Sequence, residues 1–187
     1  MTPAARLTSK LFEDGIISSE EVDIVSYGLE TVGSSLMGLL VTLAVGMLFG
    51  QLLNSFIFWL LVMPLRKNAG GFHAKTKTRC LIISTGILIA AFGIFFRLNW
   101  EEWICISTTL VSGLIIFFMA PIGNQNKSLD SVEHKVYRKR TRYILAVEGV
   151  LFMLAVCFEW KDLQMVITSC FAVVAVSLLA EMIRFQE

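Results

Sequence analysis

Residues 31–65, 80–96, 103–126, 143–158 and 163–180 of this chain carry no charge except Glu148. A spanning helix needs roughly 17–25 mostly apolar residues, so each run is close to the length that crosses a bilayer. The first run is long enough for two spans. It divides near Gly50-Gln51, where turn-tolerant and polar residues gather, and Pro64 is expected to stop its second half. The pattern predicts an all-α, polytopic integral membrane protein with six transmembrane helices, at about 31–49, 51–64, 80–96, 103–121, 143–158 and 163–183. The second is short, and a re-entrant segment stays open for it. Of the 187 residues 56% are hydrophobic, and the mean hydropathy of +0.71 is well above that of a soluble domain. No repeat, linker or second domain is visible, so residues 1–187 are read as one membrane-embedded domain.

The net charge is only +1, but the bases are unevenly placed. Of 16 Lys and Arg, five fall in 66–79 (Arg66, Lys67, Lys75, Lys77, Arg79) and six in 127–142 (Lys127, Lys135, Arg138, Lys139, Arg140, Arg142). The positive-inside rule makes both segments cytoplasmic loops, and two spans between them keep that assignment consistent. Six spans then put both termini in the cytoplasm. Thirty or so mostly polar residues precede the first apolar run, so no signal peptide is expected. They read as an amphipathic helical segment, residues 1–30, on the inner membrane surface. Ser18 and Glu21 are spaced as a capping box, and Val22, Val25, Leu29, Val32 and Leu36 recur at helical intervals. Ser34, Gly38, Gly46 and Gly50 let helices approach closely, either within one bundle or across a homodimer.

Chemistry concentrates in Arg66 to Cys80, RKNAGGFHAKTKTRC. Three of the four cysteines, Cys105, Cys157 and Cys170, fall in predicted spans and read as small buried hydrophobes, with a Cys105–Cys157 disulfide as a further reading. Cys80 differs, because it starts a span beside Arg79 and Lys77, an electropositive setting suited to a nucleophilic sulfur. With His73 as base it forms the minimal set for covalent acyl transfer. Seven residues of straight helix would separate the two backbones by about 10 Å, too far for a hydrogen bond. The expectation is that Gly70-Gly71 and the polar stretch 74–78 break or fold the backbone. The glycines either bring amides toward a developing oxyanion or simply form a turn between helices.

Arg66 is read as a ligand for a substrate carboxylate or an acidic side chain, or as a topology determinant only. Glu148, an acid inside an apolar run, needs a partner, and Arg66 or His73 is the expected one. His134 reads as a solvated loop residue. With no HExxH or CxxC pattern, neither a metal nor another cofactor is expected. Among functions, a cysteine endopeptidase leads, and a small peptide transporter or export component without protease activity is the alternative. A lipid-modifying enzyme with metal-bound headgroups would want clustered acids where this chain has bases.

The arrangement RxxxGGxHxxxxxxC over residues 66–80, in a small six-span protein, resembles the accessory gene regulator B (AgrB) family of Gram-positive bacteria. The resemblance implies a bacterial cell-membrane cysteine endopeptidase that processes the AgrD precursor of a cyclic autoinducing peptide used in quorum sensing. It implies that His73 and Cys80 are the catalytic pair, with Arg66 and Gly71 as motif residues around it. It also implies a thioester on Cys80 that closes to a thiolactone or lactone. The partners implied are an AgrD-like precursor with an acidic C-terminal tail and the lipid bilayer; no nucleic acid is expected. The second basic segment, with Lys135, Arg138, Lys139 and Arg140, is a docking surface for that tail or a topology signal alone.

Overall fold

The computed structural model describes residues 3–71, 76–97, 100–123 and 130–186. These form seven helices: α1 Pro3–Glu13, α2 Val22–Leu48, α3 Leu52–Ala69, α4 Lys77–Arg97, α5 Glu102–Met119, α6 Ser131–Cys157 and α7 Lys161–Gln186. The chain divides into two compact units, Met1–Val41 and Thr42–Glu187.

In the first unit the amphipathic element is shorter than expected. It is α1 alone, and the chain turns at Gly15. The Glu21 carboxylate accepts the backbone N–H and the hydroxyl of Ser18, both at 2.9 Å, and these bonds hold its carboxyl below the ordinary range. The turn they close releases the chain into α2, a 27-residue helix that runs without a break from Val22 into the first apolar run. Val22, Val25 and Leu29 therefore belong to this long helix, not to a separate surface segment. Its length is about 40 Å at 1.5 Å per residue, more than a bilayer core requires.

The second unit is organised around α7, which packs on α3, α4, α5 and α6. Val166, Ile167, Thr168, Ser169, Cys170 and Phe171 are buried one after another, so every face of this stretch is inside, as expected of a central helix. Inside this apolar contact, the Thr109 and Thr168 hydroxyls hydrogen-bond across α5 and α7 at 2.9 Å. The Gln164 side-chain amide donates to the Ala155 carbonyl at 3.0 Å and ties α7 to α6. Phe58 of α3 meets Phe92 of α4 edge-on at 5.6 Å, and Phe92 stacks on Phe96 at 5.1 Å. Gly46 allows the end of α2 to lie against Ser55 of α3, where any Cβ would overlap the hydroxyl.

Among the described residues four helices are long and apolar enough to cross a membrane: Val22–Leu48, Thr78–Arg97, Glu102–Met119 and Lys161–Arg184. The other two expected spans, 51–64 and 143–158, lie within α3 and α6. Both helices are diluted by polar residues, Asn54, Ser55, Arg66, Lys67 and Asn68 in α3 and a run of bases in α6. Three local expectations are corrected. Pro64 does not end α3, which continues to Ala69 and stops where Gly70 takes a φ of 77° and donates its N–H to the Arg66 carbonyl at 3.0 Å. Residues 135–142 are helix, not loop, because an Asp130–Glu133 capping box starts α6 ahead of them. Cys105 and Cys157 are free thiols, and Cys157 is exposed.

Candidate active site

The helices of the second unit alternate in direction. One end therefore gathers the α3–α4 junction, the segment after α5 and the last turns of α7. Ile122 donates its N–H to the Ala69 carbonyl at 3.0 Å and forms a parallel bridge with Gly70. Both glycines of the pair are required as glycines here. Gly70 and Gly71 have φ of 77° and 113°, and a Cβ would overlap the Ile122 carbonyl oxygen at Gly70 and the Ser177 hydroxyl at Gly71. The pair thus breaks the helix, as expected, and also docks the chain onto α7.

Helix resumes at Lys77, so positions 77 and 78 of the stretch expected to be broken are helical. The Thr76 hydroxyl oxygen accepts the Arg79 N–H at 3.3 Å, and the Cys80 N–H donates to the Thr76 carbonyl at 3.0 Å. Thr76 therefore acts as the cap that sets Cys80 in the first turn of α4, at the positive end of the helix dipole. His73 and Lys75 lie outside the described residues.

A cavity of about 210 Å³ opens beside this turn. Its walls include Arg66 from α3, Cys80, Ser84 and Ile87 from α4, and Ser177 and Ala180 from α7. Arg66 and Cys80, fourteen positions apart, thus face one space. Arg66 and Cys80 also interact electrostatically across this space. An arginine so placed can hold a carboxylate or a carbonyl oxygen by its planar fork.

Other expected site residues lie elsewhere. Glu148 is buried on α6 but does not line this cavity, Cys170 of α7 is within its electrostatic reach, and the Glu148 Oε2 has no hydrogen-bond partner among the described residues. Lys135, Arg138, Lys139 and Arg140 are exposed on the first three turns of α6, as is His134. Arg142, on the same helix, stacks its guanidinium 4.3 Å from the Phe117 ring centroid.

Sequence reading passed over Thr76, Ser177 and Glu181. Glu181 is fully buried, neither carboxylate oxygen has a hydrogen-bond partner among the described residues, and Arg184 stands 4.0 Å away. The available signal was the spacing of Ser177 and Glu181, one turn apart in an otherwise apolar run.

A family model for accessory gene regulator B matches residues 4–184. An AgrB-like protein of Listeria innocua is 29% identical over 155 residues, covering 82% of this chain and 75% of the relative. An AgrB-like protein of Clostridium perfringens is 27% identical over 145 residues, covering 71% of this chain and 67% of the relative. No solved structure matches. With nearly its whole length matched, helices, cysteine turn and arginine included, the chain belongs to the accessory gene regulator B family.

Proposed function

We propose that this chain is a membrane cysteine endopeptidase that removes the C-terminal part of an AgrD-like precursor and closes the remainder into a thiolactone or lactone. The observation that carries the reading is Cys80, capped into the first turn of α4, sharing a cavity with Arg66 beside the Gly70-Gly71 junction. Family membership supplies the substrate class.

The Cys80 sulfur adds to the carbonyl carbon of the scissile bond, His73 takes the thiol proton, and the C–N bond breaks as the leaving amine receives that proton. The acyl group is left as a thioester on Cys80. A thiol or hydroxyl of the precursor then attacks the same carbonyl, and Cys80 departs and regains its proton. Exchange between thioesters is nearly neutral in energy, so exclusion of water decides between cyclisation and hydrolysis. The isoleucines that face the cavity favour the first outcome.

In the bilayer we place six spans, with α3 and the second half of α6 added to the four strongly apolar helices. The cavity end faces the cytoplasm with both termini, an orientation supported by the bases clustered there. The exposed bases of α6 then meet the acidic tail of the precursor. The test is co-expression of the precursor with the parent, Cys80→Ala and His73→Ala proteins, followed by mass analysis of the peptide. Both variants should leave it uncut at parent expression levels, and cleavage surviving both substitutions would refute the proposal.

A further inference from the structure

We infer that Ser177 donates its hydroxyl hydrogen to the carbonyl oxygen of the scissile bond while Cys80 attacks. The inference rests on Cys80 as the nucleophile and adds the group that stabilises the oxyanion.

Serines and threonines buried in helices ordinarily return their hydroxyl to a carbonyl three or four residues back. Two on α7 do so: Thr168 donates to the Gln164 carbonyl at 2.7 Å and Ser169 to the Val166 carbonyl at 2.8 Å. Ser177 does not. It is 3% exposed, and its Oγ has no hydrogen-bond partner among the described residues. The oxygen faces the Cα of Gly71, where a side chain would overlap it, and the residue lines the cavity that Cys80 and Arg66 share.

A buried donor without an acceptor is satisfied when an acceptor enters. The acceptor that enters here is a peptide carbonyl. At about 210 Å³ the cavity is smaller than the roughly 300–1,000 Å³ of drug-sized ligand pockets, which suits a short extended piece of chain. Ile83, Ile87 and Val176 make its remaining walls largely apolar, and in such surroundings one hydrogen bond to a developing negative charge counts for far more than in water. As the C–S bond forms, the carbonyl π electrons move onto oxygen, and the Ser177 O–H shortens its bond to that oxygen without giving up its proton. The bond relaxes when the C–N bond breaks and the carbonyl reforms.

The test uses the full chain in nanodiscs and a synthetic AgrD-like precursor peptide. Ser177→Ala should slow formation of the Cys80 thioester by about 10²–10³-fold in single turnover, the loss usual for one oxyanion donor. Three readouts should stay within about twofold of the parent: precursor affinity in a Cys80→Ala background, thermal unfolding, and alkylation of Cys80 by iodoacetamide, which passes through no oxyanion. Acylation within about threefold of the parent overturns the inference. So does a parallel loss of affinity, stability or alkylation, which would make Ser177 a packing residue for Gly71. Failure of the underlying reading looks different, because Cys80→Ala would then still cleave.

Discussion

At one end of the Thr42–Glu187 unit a cavity of about 730 Å³ lies among Trp100, Glu101, Trp103, Lys161 and Gln164; at the other, about 210 Å³ lies among Arg66, Cys80 and Ser177. The two differ in what their polar groups still lack. In the larger cavity Gln164 already donates to Ala155, and the thiol present, Cys105, is 2% exposed and packed into the core. In the smaller one the Ser177 hydroxyl has no acceptor among the described residues, and a thiol and a guanidinium face the same space. Volume alone would choose the end opposite the proposed site. Unmet hydrogen bonds beside a nucleophile are the better guide, since a folded chain retains such groups where a ligand completes them.

This contrast is breakable by substitution, with the greatest effect expected at the glycine junction. Gly71→Ala adds a methyl group against Ser177 and forces a φ of 113° on an alanine. Backbone strain of that kind costs of order 1–3 kcal/mol, so thermal unfolding should drop by several degrees and cleavage by at least about 100-fold. Trp103→Ala at the opposite cavity should leave cleavage within about twofold. Equal losses at the two ends would dissolve the distinction between them.

A smaller effect is expected at the guanidinium. Arg66→Lys keeps the charge but gives up the planar fork, and should lower kcat/KM by about 10-fold with unfolding unchanged. Parent activity in that variant would reduce Arg66 to a topology signal. Smallest of all is the exposed face of α6. Lys139→Glu with Arg140→Glu should raise KM about 3–10-fold, with kcat preserved and the difference shrinking as salt is added. An increase that ignores salt would argue against docking by charge.

Much of this was legible in the chain because the strongest signals are local. Apolar runs of spanning length announced helices, the turn at Gly50-Gln51 divided the first run, and Gly70-Gly71 marked the break before α4. The errors have physical sources too. Charge alone makes residues 135–142 look like a loop, although Asp130 and Glu133 spell a helix start whose backbone bonds do not depend on side-chain polarity. Pro64 removes one N–H but cannot end a helix held on both sides by α6 and α7. Ser177 was invisible for another reason. Serine in an apolar helix is ordinary, and only the folded arrangement shows Gly71 packed against it and its hydroxyl without a partner among the described residues.

In the proposed reaction Cys80 carries the acyl group. The direct measurement is acid-quenched mass spectrometry of the purified protein mixed with its precursor on the time scale of one turnover. A hydroxylamine-labile adduct is expected on the peptide containing Cys80, with the mass of the precursor minus its leaving segment, rising and falling as the cyclic product appears. Product forming at the parent rate with Cys80 unmodified throughout, or with the adduct on another residue, would contradict it.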